Sequence, residues 1–357
     1  MKRMNILFST TRQWNPGDEF ILKGIINIFK SLDVQFNPII FNRNPEIKHK
    51  ETGRCFNFQF DMDNFRFKAL KPGFYDNSFK KELSAENFID LAVFAGTSEW
   101  ASARMKVMYE YIDRYSIPTA YLGIGLGSAD FKPENLKKVY KNVIQNAKLI
   151  VVRDRVTEKA LSVFNAVYLP CPAFLSAPQS LEKKISEVKK IGLIYGSDKS
   201  VKANRVDQET HRFMLEFYKK ILSIYKEQFE FNFICHYINE LPEFLKDFPG
   251  GHCYYSYDST DYLEIYNQCD FVIGPRVHGI GISASMGIPG INIRHDVRAD
   301  TCYGFGAEVI NIDNNLDRAV SVLDTRLKQA KVLNQKLLEE KRKALRSYIG
   351  LLTPVFA

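Results

Sequence analysis

Along most of the chain, short apolar runs end in a glycine- or proline-containing break and are followed by segments whose apolar positions recur every three or four residues. That alternation predicts strand, turn and helix in α/β units with buried parallel strands. A strand is expected over 4–9, a loop over 13–18 and a helix over 19–32, whose Phe20, Leu22, Ile25, Ile26 and Phe29 form a broad apolar face. Further strands are expected over 34–41, 90–95, 118–122 and 149–152, with helices over 100–115, 133–146 and from 155 to 161. The alternation stops at Leu169-Pro170-Cys171-Pro172-Ala173, and a charged stretch over 182–190 follows.

A second alternating set then begins, with strands over 191–195, 229–237, 271–273 and 289–294 and helices over 208–225, 259–267 and from 280 to Gly287, which stands where a helix C-terminal glycine belongs. Two Rossmann-like α/β domains facing a cleft are the implied architecture, with residues 1–178 as the first domain and 179–357 as the second. From Leu316 onward, Val320, Leu323, Leu327, Leu333, Leu337, Leu345 and Ile349 mark an amphipathic helical tail, expected to pack across the body, with a dimer seam as the lesser option. Over 55–79, Phe56, Phe58 and Phe60 alternate with the strand period and favour a packed hairpin over an aromatic sugar platform.

Composition narrows the classes. The chain has 357 residues, 45% of them hydrophobic, and 49 Lys and Arg against 41 Asp and Glu give a net charge of +8. This basic excess is spread out, which suits an anionic substrate or membrane surface and makes nucleic acid a poor guess. No apolar run has the length of a membrane span, and 6–8 is too short for a signal core, so a cytoplasmic protein is expected, with peripheral membrane contact left open. The 6 cysteines contain no C-x-x-C pair and are expected to be packed thiols.

The most informative stretch is Gly274-Pro275-Arg276-Val277-His278-Gly279, between an apolar run and a small-residue helix. A helix start carries unpaired N–H groups and positive potential, and an arginine and a histidine beside it favour a phosphate or carboxylate. Arg153 also follows a strand, where ligands of doubly wound sheets bind, although an Arg153–Asp154 surface pair explains it equally well. Asp18 and Glu19 suit the start of a helix, Asp18 as an N-cap and Glu19 in the first turn. Gly123-Ile124-Gly125-Leu126-Gly127 has the spacing G-x-G-x-G and gives a dinucleotide cofactor little support. The polar run 295–302, with His295, Asp296, Asp300 and Cys302, fits a loop lining the cleft better than a metal site.

In order along the chain, Asn15-Pro16-Gly17-Asp18-Glu19, the glycine-ended strand from Tyr121, Val152-Arg153-Asp154 with Thr157, and Arg276-Val277-His278-Gly279 followed by Gly287-Ile288-Pro289 resemble the polysaccharide pyruvyl transferases. The resemblance implies a two-domain fold similar to that of GT-B glycosyltransferases, phosphoenolpyruvate as donor, and a saccharide or lipid-linked saccharide acceptor whose two hydroxyls become a pyruvate ketal. It implies no metal and no cofactor beyond that co-substrate. Arg153, Arg276 and His278 become the expected donor contacts, with Val277 beside them, His278 as general acid or phosphate partner and Asp18 as candidate base. Gly17, Gly279 and the turn Gly96, Thr97 and Ser98 complete the candidate substrate contacts. The sequence departs from the family where Cys171-Pro172 replaces a frequent Asp-Pro and Gly96-Thr97 a Gly-Gly turn. A nucleotide-sugar glycosyltransferase on the same fold and a non-catalytic glycan-binding relative remain the alternatives, and a homo-oligomer stays open.

Overall fold

The computed structural model describes residues 3–10, 16–42, 89–96, 100, 103–126, 131–200, 205–256, 258–313 and 315–356. The aromatic stretch 55–79, Asn15, Thr97 and Ser98 lie outside the described residues. The described residues form two compact units, one running to Ser176 and resuming at Lys343, the other spanning Ala177–Arg342.

In the first unit β1 (Met4–Thr10), β2 (Phe36–Asn42), β3 (Leu91–Ala95), β4 (Thr119–Ile124), β5 (Leu149–Val152) and β6 (Val167–Tyr168) make one six-stranded sheet in the order β2-β1-β3-β4-β5-β6. Every pairing is parallel. β3 and β4 are buried at every position, which is why their sequences lack the alternation of a half-exposed strand. The ring of Phe94 stacks with those of Tyr109 and Tyr121, with centroids 4.6 and 4.5 Å away. Tyr109 comes from the helix Ala103–Tyr115, so this stack fastens helix to sheet.

The helix Pro16–Lys30 lies directly against the 3-10 segment Pro172–Leu175: a Cβ on Gly24 would collide with the backbone carbonyl of Pro172. Asn27 reinforces the contact by donating to the carbonyls of Leu175 and Ser176 at 2.9 and 3.1 Å. The proline-rich passage that interrupts the strand–helix alternation is therefore a packing partner of the first helix. The C-terminal end of the chain also belongs to this unit, where Tyr348 donates to the carbonyl of Pro170 at 2.9 Å.

In the second unit β7 (Lys190–Ile194), β8 (Glu230–Ile234), β9 (Cys253–Tyr254), β10 (Phe271–Gly274), β11 (Gly290–Ile293) and β12 (Glu308–Ile310) form a second parallel sheet in the order β12-β11-β10-β7-β8-β9. The helix Gln208–Tyr225 starts where Asp207 accepts the N–H of Thr210 at 2.8 Å. From this helix the buried Tyr218 hydroxyl lies 2.7 and 3.0 Å from the carbonyls of Ile194 and Ile273, at the ends of β7 and β10. Lys341 is buried and donates to the carbonyls of Ala177 and Ser285 at 2.9 and 2.7 Å, and to Glu182 at 3.0 Å. It satisfies the last turn of the helix Val277–Ser285 with a cation, as a helix C-terminus favours.

Several expected elements change length. The helix expected over 133–146 is a 3-10 turn, Pro133–Asn135, and a separate helix, Lys138–Gln145, because Leu136 and Lys137 take extended backbone angles. The strand expected over 229–237 ends at Ile234, where the chain turns into the 3-10 segment Ile238–Glu240. The polar run after β11 is a nine-residue 3-10 segment, Val297–Phe305, capped by Asp296. The described cysteines Cys171, Cys235, Cys253, Cys269 and Cys302 are free thiols.

Replacing Gly24 with alanine should lower unfolding stability by about 3 kcal/mol, because the obstructing atom is backbone and cannot rotate away. Urea titration checks this; an unchanged midpoint would show that the helix can shift freely on Pro172.

Candidate functional site

In the first unit the site is built at the carboxyl ends of β3, β4 and β5, the edge where parallel sheets bind ligands. Arg153 leaves β5 and is only 7% exposed, and Asp154 is 5% exposed, so the two do not form the surface pair weighed from the sequence. Asp154 instead accepts the N–H of Thr157 at 2.7 Å and caps the helix Arg155–Ala160. Thr157 in turn accepts the N–H of Leu126 at 3.0 Å, fixing the glycine-rich turn after β4 against the turn after β5. The Asp154 and Thr157 positions of the motif thus serve to hold the backbone around Arg153.

Gly125 shows why that turn needs glycine. Its missing Cβ leaves the space that the Arg153 guanidinium occupies, with Cζ 2.7 Å from where a Cβ would stand. Gly125 also donates to the carbonyl of Gly96 at 3.3 Å, so Gly96 and Arg153 meet across this residue. Gly96 has a φ of +83°, a conformation open to glycine. The Arg153 Nε is buried without a hydrogen-bond partner among the described residues, a costly state. The buried Cys171 thiol lies beside the same guanidinium; burial pushes its pKa up while Arg153 pulls it down. With its pKa raised overall, the thiol stays protonated and, unlike a carboxylate, adds no negative charge beside Arg153.

Asp18 and Gly17 are both buried in the first turn of the helix Pro16–Lys30, so Asp18 lies inside the helix rather than at its N-cap. One turn further on, Ile21 packs against Gly96. The helix start and the β3 turn therefore share one edge of the sheet.

In the second unit Arg276 is the N-cap residue of the helix Val277–Ser285, immediately after β10 and Pro275. It is 5% exposed and ion-paired with Glu240, which is 0% exposed. The other oxygen of that carboxylate accepts the backbone N–H groups of His236 and Tyr237 at 3.0 and 3.1 Å. The guanidinium also lies over the Tyr237 ring, 4.9 Å from its centroid. Val277 and His278 are half-buried in the first helical turn. Gly279 lets the helix approach Ile194 and Tyr266, against which a Cβ would collide. The Tyr266 hydroxyl sits 2.6 Å from Nε2 of His236.

Glu240, Tyr237 and His236 were not singled out from the sequence. They follow β8 in a short irregular turn without periodicity, and Glu240 finds Arg276 across 36 residues. His236 is buried and its pKa falls to about 3, through burial first and the neighbouring Arg276 second. Burial also lowers the pKa of His295, with Asp296 opposing. Of the polar groups after β11, Asp296 pairs with Arg298 and Asp300 with Arg294. Among the described residues no cluster of His, Cys, Asp and Glu suited to a metal ion occurs. No helix among them is long and apolar enough to cross a membrane.

Against this geometry, a family model described as polysaccharide pyruvyl transferase matches residues 15–297. A comparison with curated proteins found no match. Among solved structures, the UDP-GlcNAc 2-epimerase of Methanocaldococcus jannaschii, complexed with UDP-GlcNAc and UDP, is similar at a TM-score of 0.56 and 14% identity, over 95% of this chain and 99% of that one. MnaA of S. aureus with UDP is similar at a TM-score of 0.57 and 11% identity, over 99% and 98%. HepE of Anabaena with UDP-glucose is similar at 0.55 and 12%, over 99% of each chain. At these identities the likeness shows the fold, which is the GT-B-like pairing of two Rossmann-type units.

Two outcomes follow from the geometry. Because the folded pKa of His236 lies far below the unfolded value of about 6.5, unfolding takes up a proton, and stability should fall by up to about 1.4 kcal/mol per pH unit as pH drops below 6.5. Comparing urea midpoints of the protein and His236→Asn between pH 7 and pH 5 checks this, with the variant expected to show the shallower decline. Gly125→Ala should displace the Arg153 guanidinium and weaken anion binding while the fold remains; unchanged affinity for a stabilising anion would refute the link.

Proposed function

We propose that this chain, which belongs to the polysaccharide pyruvyl transferase family, transfers the pyruvyl group of phosphoenolpyruvate to two hydroxyls of a saccharide used in surface polysaccharide synthesis. The observation that carries this reading is the placement of Arg276, Val277 and His278 at the start of the helix that follows β10. Backbone N–H groups and a buried guanidinium there suit the phosphate or carboxylate of the donor. Arg153, with its unsatisfied Nε and no carboxylate at position 171, suits a second anionic group.

Ketal formation protonates the methylene carbon of the enol phosphate, adds one sugar hydroxyl to the neighbouring carbon, and lets the second hydroxyl displace inorganic phosphate. His278 is assigned the proton delivery or the phosphate contact, and Asp18 the proton of an attacking hydroxyl. Val277, Gly279, Gly17, Gly96, Thr97 and Ser98 are the further candidate substrate contacts in the same reading. Gly279 has a packing duty already, so its share is its N–H and the closeness it allows. The buried neighbour His236 stays neutral at physiological pH, which keeps a second positive charge from accumulating beside Arg276.

Phosphoenolpyruvate should raise the melting temperature, and Arg276→Ala should remove that rise. With a glycan acceptor library, His278→Ala should release phosphate at least about 100-fold more slowly. Mass spectrometry should find a product heavier by one pyruvate less water. Stabilisation by a uridine-diphosphate sugar with no response to phosphoenolpyruvate would select the nucleotide-sugar reading, and undiminished turnover by His278→Ala would remove its assigned role.

A further inference from the structure

One groove of the first unit lies away from the site. A groove of about 670 Å³ opens at the amino-terminal ends of the strands, around the start of β5, and is lined by residues of the helix Lys138–Gln145, the turn Ala147–Lys148 and the segment following the helix Arg155–Ala160. Lys141, Lys148 and Lys159 line it, and the acidic residue among its lining is Glu134. Lys132, Lys137 and Lys138, in the same stretch of chain as the lining residues Pro133, Glu134 and Lys141, are exposed. The positive charge of the lining therefore comes from lysines. Val163, 72% exposed, projects from the short 3-10 segment Ser162–Phe164 at the same groove.

The chemistry of the face selects its partner. Lysines offer mobile point charges, suited to an array of phosphates without fixed geometry, whereas reading one phosphate in a fixed pose favours arginine forks and converging backbone N–H groups. A cluster of lysines on one surface, with an exposed apolar side chain among them, matches anionic headgroups above an acyl layer. Docking at the amino-terminal ends of the strands also leaves the carboxyl ends of the same sheet, with Arg153, uncovered. We propose that this lysine-lined groove is a docking surface for an anionic phospholipid membrane.

The test is co-sedimentation of the full chain with vesicles of phosphatidylglycerol and phosphatidylcholine, against vesicles of phosphatidylcholine alone. Binding should require the anionic lipid and weaken as salt rises. The combined variant Lys141→Glu, Lys148→Glu, Lys159→Glu should lower the partition coefficient on the order of 100-fold, and Val163→Asp should lower it to a smaller extent. A control of equal charge change on the helices Leu316–Lys328 and Ala330–Leu352, Lys328→Glu, Lys331→Glu, Lys336→Glu, should retain most of the binding. Circular dichroism melting of each variant verifies folding. Absence of binding to anionic vesicles, or an equal loss in the control, would overturn the proposal. So would a melting shift with inorganic pyrophosphate that the groove variant alone loses in a protein that ignores vesicles, since the groove would then serve a soluble anion.

Discussion

A guanidinium buried at the end of a parallel strand must be held by groups that neither block it nor leave its charge without compensation, and this demand recurs in both units. Removing such a charge from water costs several kcal/mol unless partners replace the lost hydration. The two arginines meet the demand differently. Arg153 rests on a backbone stripped of side chain at Gly125, beside a thiol, with a nitrogen left unsatisfied. Arg276 is paired with a fully buried carboxylate and covered by an aromatic ring. The surrounding architecture follows from these two arrangements: the Leu126–Thr157 and Asp154–Thr157 bonds around the first, and the His236–Tyr237–Glu240 turn around the second.

Much of the scaffold is legible in the sequence because burial on both faces writes itself as continuous apolar runs. β3, β5 and β10 sit where such runs stand, and the helix Gln208–Tyr225 matches its apolar period to the residue. What escapes is short or stabilised from far away. β6 and β9 have two residues each, too few for any period, and owe their existence to a neighbouring strand edge. The break inside the segment 133–146 leaves the apolar pattern intact, so pattern alone cannot reveal it.

The site divides along the same line. Arg276, His278 and Arg153 are visible because a cationic residue after an apolar run and a break is a local feature. Glu240 is invisible because its meaning lies in a partner distant in sequence. Asp154 and Thr157, which accompany Arg153 in the motif, have side chains engaged with backbone N–H groups. Sequence reports which residue types are gathered near a strand end, while packing determines whether each faces a ligand or supports the chain.

The pairing of Arg276 with Glu240 bears directly on how the proposed site would attract an anion. A carboxylate at hydrogen-bonding range cancels most of the arginine's charge at longer distance, so Arg276 by itself is a weak lure. The compensation lies in the donors around it: Glu240 also accepts two backbone N–H groups, which draw off part of its negative charge, and the helix Val277–Ser285 starts at Arg276 with its positive end outward. An anion there would gain its attraction from the helix end and from His278, with the Arg276 plane held in a fixed orientation by Glu240 and Tyr237. Fixed orientation matters more than raw charge when a reacting carbon must be held against a hydroxyl, because a mobile arginine would lose entropy on each binding event. Under the proposed function, the buried ion pair would exchange attraction at a distance for a fixed arginine plane at contact.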